Sequence, residues 1–182
     1  GNPPSVRQEF LTKIKTYLQN SCSVYDGRGD LYSYFLEQGD NISSNKSGYI
    51  VSHKFTKVDS GEPLREYMSK EMAISKFIDF KDLPVFGSAI SAYPAIIISS
   101  KESTDSILRY AEIDDLDFSD LNKRIDSVAK DVPISTLSND EWTFISKTEK
   151  DIRLKMDKEG EHLSDVLGEP LVGIKTGLND AY

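Results

Sequence analysis

The run Ala95-Ile96-Ile97-Ile98-Ser99 constrains the fold of this 182-residue chain more than any other stretch. It is too short for a typical globular helix, and apolar side chains at both odd and even positions leave neither face for water. A strand of this kind belongs inside a sheet covered by helices, which is an α/β layered domain. The sequence before it agrees: Tyr49-Ile50-Val51-Ser52 and Phe77-Ile78-Asp79-Phe80 read as two more short strands rich in β-formers.

Helical patterns separate these runs. Residues 6–20 carry Phe10, Leu11, Ile14, Tyr17 and Leu18 as one stripe. Asp30 is placed to cap a helix from Leu31 to about Ile42, with Leu31, Tyr34, Phe35 and Gln38 along one side. The polar residues 43–48 read as a loop, and Gly61-Glu62-Pro63 introduces a third helix from Leu64 to about Met72. Beyond Lys101 the character changes. Residues 103–132 are acidic and Ser-rich with helical patches around 119–128, residues 142–158 read as an amphipathic helix anchored by Trp142, and residues 172–182 are loop-like. The expected organisation is an α/β unit over 1–102, a helical linker over 103–170 and the start of another domain over 171–182.

Composition narrows the function classes. With 38% hydrophobic and 29% charged residues and no apolar run of membrane-spanning length, the expectation is a globular, cytoplasmic protein with no membrane partner. One cysteine and two histidines supply neither a disulfide framework nor a zinc set, so no metal is expected. A net charge of −8 argues against nucleic-acid binding by bulk electrostatics and leaves it to local patches. Lys54, Lys57, Arg65, Lys70, Lys76 and Lys81 form such a cluster, although a solvated helical face explains most of them equally well. Lys54 is the best placed, since it follows a strand's carboxyl end, where α/β folds bind ligands. Arg28-Gly29-Asp30 reads as the turn that starts the second helix.

The candidate chemistry lies in Asn2-Pro3-Pro4-Ser5. Each proline ring fixes its own φ near −65° and holds the preceding residue extended. The corner therefore presents the Asn2 carboxamide and the Asn2 and Pro3 carbonyls as acceptors on rigid backbone, as a planar exocyclic amine requires. Asn-Pro is also an ordinary turn initiator, and in isolation the turn reading is preferred.

In order, the chain shows the Asn-Pro-Pro corner, the helix at Asp30-Leu31-Tyr32-Ser33-Tyr34-Phe35, the strand at Gly48-Tyr49-Ile50-Val51, the helix at Pro63-Leu64-Arg65, the strand at Ile78-Asp79-Phe80, the loop Leu83-Pro84-Val85-Phe86 and the apolar strand after Tyr93-Pro94. This order resembles the catalytic half of adenine-N6 DNA methyltransferases, particularly those of type IIG restriction-modification enzymes. Asn2-Pro3-Pro4 is similar to that family's catalytic motif and Val6-Arg7-Gln8-Glu9 to its continuation. Gly173-Ile174-Lys175-Thr176-Gly177-Leu178-Asn179-Asp180-Ala181-Tyr182 is similar to the segment opening its DNA-specificity domain.

The resemblance implies an incomplete doubly wound, Rossmann-like methyltransferase sheet followed by a helical linker, and transfer of a methyl group from S-adenosylmethionine to an adenine flipped out of double-stranded DNA. Asn2 and the Pro3 carbonyl would accept hydrogen bonds from the target amine, within the motif that Pro4 and Ser5 complete. Phe86 would stack on the base, or else is a core aromatic at a strand end. Ser5 departs from the family, which usually has an aromatic ring there, most often Tyr; Tyr25 and Tyr93 are candidate substitutes. Lys175, Thr176 and Asn179 would touch phosphate or base edges, or simply turn the chain. The glycine-rich turn and acidic residue of the cofactor site are expected upstream of Gly1, so this stretch alone is expected to be inactive, with an open sheet edge available to a second copy. Three other readings stay open: an endonuclease fused to the methyltransferase, methylation of an RNA base or a protein glutamine, and a non-catalytic DNA-specificity or defence-complex subunit.

Overall fold

The computed structural model describes residues 1–87, 93–101, 106–161, 165, 166 and 168. Residues 1–146 form one compact unit and residues 147–182 a second. The first unit contains α1 (Lys15–Ser21), α2 (Leu31–Ile42), β1 (Lys46–Ser52), α3 (Glu62–Lys70), β2 (Ile74–Asp79), β3 (Pro94–Ser100), β4 (Ile107–Glu112), α4 (Leu121–Val128) and β5 (Lys130–Pro133). The described part of the second includes α5 (Lys147–Glu159).

The five strands form one open, mixed sheet in the order β1-β3-β2-β4-β5. β3 inserts antiparallel between β1 and β2, β4 lies parallel to β2, and β5 is antiparallel to β4. β1, β2 and β4 therefore run in one direction, with α3 on the connection from β1 to β2. The chain also enters beside β1. The Gly1 amine donates to the Gly48 carbonyl and the Ile50 N–H donates to the Gly1 carbonyl, a pair of bonds flanking Tyr49 in the parallel pattern. The Asn2 corner thus follows directly from a segment parallel to β1.

The apolar run behaves as its composition requires. Ile97 and Ala95 are fully buried in the larger core with Phe55, Leu64, Met68, Phe77 and Trp142, while Ile96 packs against a smaller core of Ile78, Phe80, Ala111, Ile113 and Ile125. Helices α2 and α3 contribute to the first core and α4 to the second, so both sheet faces are covered.

Three expectations change. The stripe over residues 6–20 is not one helix: a 3-10 turn at Gln8–Phe10 and a further turn closed by Ile14 N–H on the Leu11 carbonyl precede α1. Leu11 and Leu18 are buried, whereas Phe10 and Tyr17 are 74% and 66% exposed, because the break rotates them off the buried line. Helix α2 has the expected span and Asp30 cap, but Phe35 and Gln38 face outward. Its buried side includes Tyr32, Ser33, Leu36, Glu37 and Asp40, a face hidden from apolar counting because buried carboxylates belong to it. Glu37 is satisfied by the Ser23 N–H at 2.8 Å and hydroxyl at 2.6 Å, and Asp40 by the Tyr67 hydroxyl at 3.2 Å.

The largest change lies beyond Lys101. Residues expected in a helical linker supply β4 and β5, which pair in the same sheet as β1 to β3. Leu108 and Tyr110 face one core and Ala111 and Ile113 the other, a strand pattern of period two embedded in acidic sequence that conceals it. α4 falls inside the helical patch expected there. Trp142 precedes α5 and lies outside any helix. It is nonetheless a core anchor, 1% exposed, packed edge-on against Phe55 and Phe144, with its Nε1–H on the Ser138 carbonyl at 2.7 Å.

Candidate functional site

A cleft of about 840 Å³ opens where β1 ends, and its walls include Asn2, Pro3, Pro4, Ser5, Lys54 and Phe86. Six residues singled out from sequence, separated by up to 84 positions, thus share one cavity. Lys175, Thr176 and Asn179 lie outside the described residues.

The corner is tied down on one side by a single carboxylate. Asp30 Oδ2 accepts from the Ser5 hydroxyl at 2.7 Å, and Oδ1 accepts from the Val6 N–H at 2.9 Å and the Tyr32 N–H at 3.4 Å. The Leu31 N–H donates to the Val6 carbonyl at 2.9 Å, and Arg7 and Asp30 form an antiparallel bridge. One residue therefore caps α2 and holds the residue after the two prolines. Ser5 presents no ring to the cleft; its hydroxyl is spent on Asp30. Neither Tyr25 nor Tyr93 lines the cavity, whereas Tyr32 does, and burial of its phenol pushes the pKa well above the ordinary tyrosine value.

Phe86 comes from a tight turn after β2. The Gly87 N–H donates to the Pro84 carbonyl at 2.9 Å, and Gly87 takes φ of +95°, a conformation that glycine tolerates and L side chains do not. The turn leaves Phe86 38% exposed at the cleft wall, so its ring is available rather than spent in the core.

Lys54 reaches the cleft from the end of β1, in the 3-10 turn His53–Thr56 capped by Ser52. Its ammonium sits 4.9 Å from the centroid of the Tyr93 ring, a cation–π contact that orients it. Beside it, His53 Nδ1 lies 3.4 Å from Asp79 Oδ2, and Asp79 also accepts from the Tyr110 hydroxyl at 3.1 Å and the Lys81 N–H at 2.7 Å. The His53 N–H donates to the Tyr93 carbonyl, and Tyr93 and Lys81 both hold positive φ. This polar network at the ends of β1, β2 and β4 fixes the rim on which Lys54 stands.

The other cations of the expected basic cluster do not join it at the cleft. Arg65 is buried and donates to the Phe55, Val58 and Asn139 carbonyls. Lys70 pairs with Glu66 and Lys81 with Glu112, each at 2.6 Å. The cleft instead recruits Arg7 and Arg28, neither picked as a site residue from sequence, along with Asp30 and Tyr32. The signal for Asp30 was present in its helix-cap role; nothing local marks the arginines, because the Arg7–Asp30 bridge that brings them together spans 23 positions.

The architecture is that of an α/β fold with a cleft at the end of β1, lined by a proline-fixed, acceptor-bearing corner. Residues 1–86 match the family model described as the Eco57I restriction-modification methylase. Over these residues the chain is similar to that family. Along its whole length the chain is 28% identical to the type II methyltransferase M.BstVI of Geobacillus stearothermophilus, covering 36% of that protein. It is 29% identical to the type II restriction enzyme and methyltransferase RM.Eco57I of Escherichia coli, again over its whole length and covering 19% of that protein. The chain thus spans about a third or less of the length of these curated relatives. Among solved structures, the type IIG restriction endonuclease BpuSI matches with a TM-score of 0.58 at 12% identity, covering 86% of this chain and 21% of that one, a likeness of fold.

Proposed function

We propose that this chain is part of a site-specific DNA methyltransferase that moves a methyl group from S-adenosylmethionine to the N6 amine of an adenine flipped out of duplex DNA. The observation that carries the reading is the convergence of Asn2, Pro3 and Phe86 on one cleft of about 840 Å³, within the range of volumes that enclose a small ligand. The Asn2 carboxamide and the Pro3 carbonyl each accept a hydrogen bond from the target amine, which turns its lone pair toward the methyl carbon. With the amine so held by Asn2 and Pro3, its nitrogen would be aimed to take a methyl group and would lose one proton to water. Geometry and fixed dipoles supply the rate enhancement, without a strong base. Phe86 holds the base by stacking, worth on the order of 1 to 3 kcal/mol.

S-adenosylmethionine supplies an electrophilic methyl on a sulfonium, and the exposed Asn2 at the mouth of the cleft fits a donor brought up beside it. In this chain Asn2 and Pro3 face the acceptor; we assign the grip on the adenosyl part to other segments of the protein. Lys54, with Lys175, Thr176 and Asn179, is proposed to contact DNA, and the setting is a cytoplasmic restriction-modification system.

A second reading, a DNA-specificity or defence-complex subunit without catalysis, is favoured by one observation: the Ser5 hydroxyl is engaged by Asp30 and no ring stands at that position. Incubating the full-length protein with duplex DNA and methyl-labelled S-adenosylmethionine separates the two. The first reading expects label in DNA, lost by about 10²- to 10³-fold on Asn2→Ala, the size seen when one preorganised hydrogen-bond partner is removed. DNA binding with no transfer by the wild type supports the second.

A further inference from the structure

The acidic balance of the chain sharpens a question about how it would approach DNA. With a net charge of −8, its average field repels a polyanion, so any duplex-facing surface has to concentrate cations locally. The described residues do so at the cleft. Arg7, Arg28 and Lys54 line it, and Asp30 is the single acidic lining residue. That carboxylate accepts from Ser5, Val6 and Tyr32, and all three cations are exposed at the cleft, Arg7 and Arg28 each with one carboxylate at 3.9 Å.

Both arginines line the cleft, Arg7 in an isolated antiparallel bridge to Asp30 and Arg28 in the turn two residues before Asp30. The turn that aims Arg28 is tight: its N–H donates to Asp26 Oδ1 at 2.7 Å and the Gly29 N–H donates to the Asp26 carbonyl at 3.1 Å. Both side chains are free of strong partners. Arg7 is 79% exposed with Glu9 at 3.9 Å, and Arg28 is 72% exposed with Asp26 at 3.9 Å, each at the outer limit of an ion pair. Lys54 reaches the same cavity from the end of β1. Positively charged, exposed, loosely paired groups around a cleft that takes a base are what a polynucleotide backbone requires on either side of that base.

We propose that Arg7 and Arg28 form a phosphate clamp at the mouth of the cleft, gripping the DNA backbone that flanks the extruded nucleotide. This assignment rests on the DNA-methyltransferase reading above and gives two residues a role within it. Their contacts are to phosphate, so they add affinity on any sequence and register the strand without reading bases.

The test is the salt dependence of binding, followed by fluorescence anisotropy with the full-length protein and a labelled mixed-sequence duplex. Each lost phosphate contact lowers the slope of log affinity against log salt by about 1. Arg7→Gln and Arg28→Gln are each expected to reduce the slope by about 1 and the double variant by about 2. Lys70→Gln, which removes a cation outside the cleft, is expected to leave it unchanged. Arg28→Lys restores the charge and should restore the slope, which a role confined to folding would not predict. Slopes for both glutamine variants equal to wild type, or failure of Arg28→Lys to recover the slope, overturn the clamp. A wild type that transfers methyl groups while the arginine slopes stay flat removes the clamp and leaves the methyltransferase reading standing. A wild type that neither transfers methyl groups nor binds duplex DNA removes both.

Discussion

Asp30 shows how much one side chain can organise. It satisfies the first turn of α2 and holds the hydroxyl and amide that follow the two prolines, so the acceptor corner and the helix start are one mechanical unit. Asp30→Ala removes the cap and strands the Val6 N–H, and we expect a loss of about 2 kcal/mol in denaturant unfolding. Methyl transfer should fall further than stability suggests, by about 10²-fold, since a displacement of about 1 Å is enough for that. Asp30→Asn keeps an acceptor oxygen for Val6 and Tyr32 and should retain most of both quantities. Equal transfer rates for the alanine variant and wild type would show that the corner holds its geometry unaided. The residue-scale features legible in sequence were those with a local cause: the proline-fixed corner and the Asx cap. The tie between them was not, because it joins residues 25 positions apart.

At the scale of elements, the strands around the apolar run were readable because burial on both faces leaves no other solution for so short a segment. β4 and β5 were missed because Leu108, Tyr110 and Val132 are isolated apolar residues among charges, and only their pairing with a finished sheet makes them strands. The buried face of α2 was misjudged for the opposite reason, since Glu37 and Asp40 count as polar until Ser23 and Tyr67 are seen to satisfy them. Arg65 is the same lesson on α3. Its guanidinium holds three carbonyls at 2.6 to 2.8 Å, joining α3 to the turns after β1 and to Asn139. Arg65→Met should cost about 3 kcal/mol, because buried acceptors are left unmet. Arg65→Lys should recover little of it, since an ammonium lacks the planar fork. A melting transition within experimental error of wild type for Arg65→Met would contradict this.

At the scale of the whole molecule, buried and half-buried phenols among the described residues link stability to alkaline pH. Burial is the first cause that raises Tyr32, Tyr67 and Tyr110 well above the ordinary value of 10.0, and it pushes Tyr34 up to about 12. Their folded values exceed their unfolded ones, so their contribution is complete below about pH 10 and drains away as pH rises through the folded values. Absorbance titration of phenolate should therefore find these four ionising together with loss of the fold and not near pH 10. Ionisation of all tyrosines near pH 10 with the fold intact would refute the assignment. The same molecule-wide view frames the chemistry: an acidic α/β unit places its rigid acceptor corner, an exposed ring and three cations around one cleft.

The most direct test of that arrangement is the identity of the product. DNA treated with the full-length protein and S-adenosylmethionine, digested to nucleosides and resolved by mass spectrometry, should contain N6-methyladenine for the wild type and none above background for Asn2→Ala. Methyl groups on any other nucleoside, or equal N6-methyladenine from both proteins, would contradict the account.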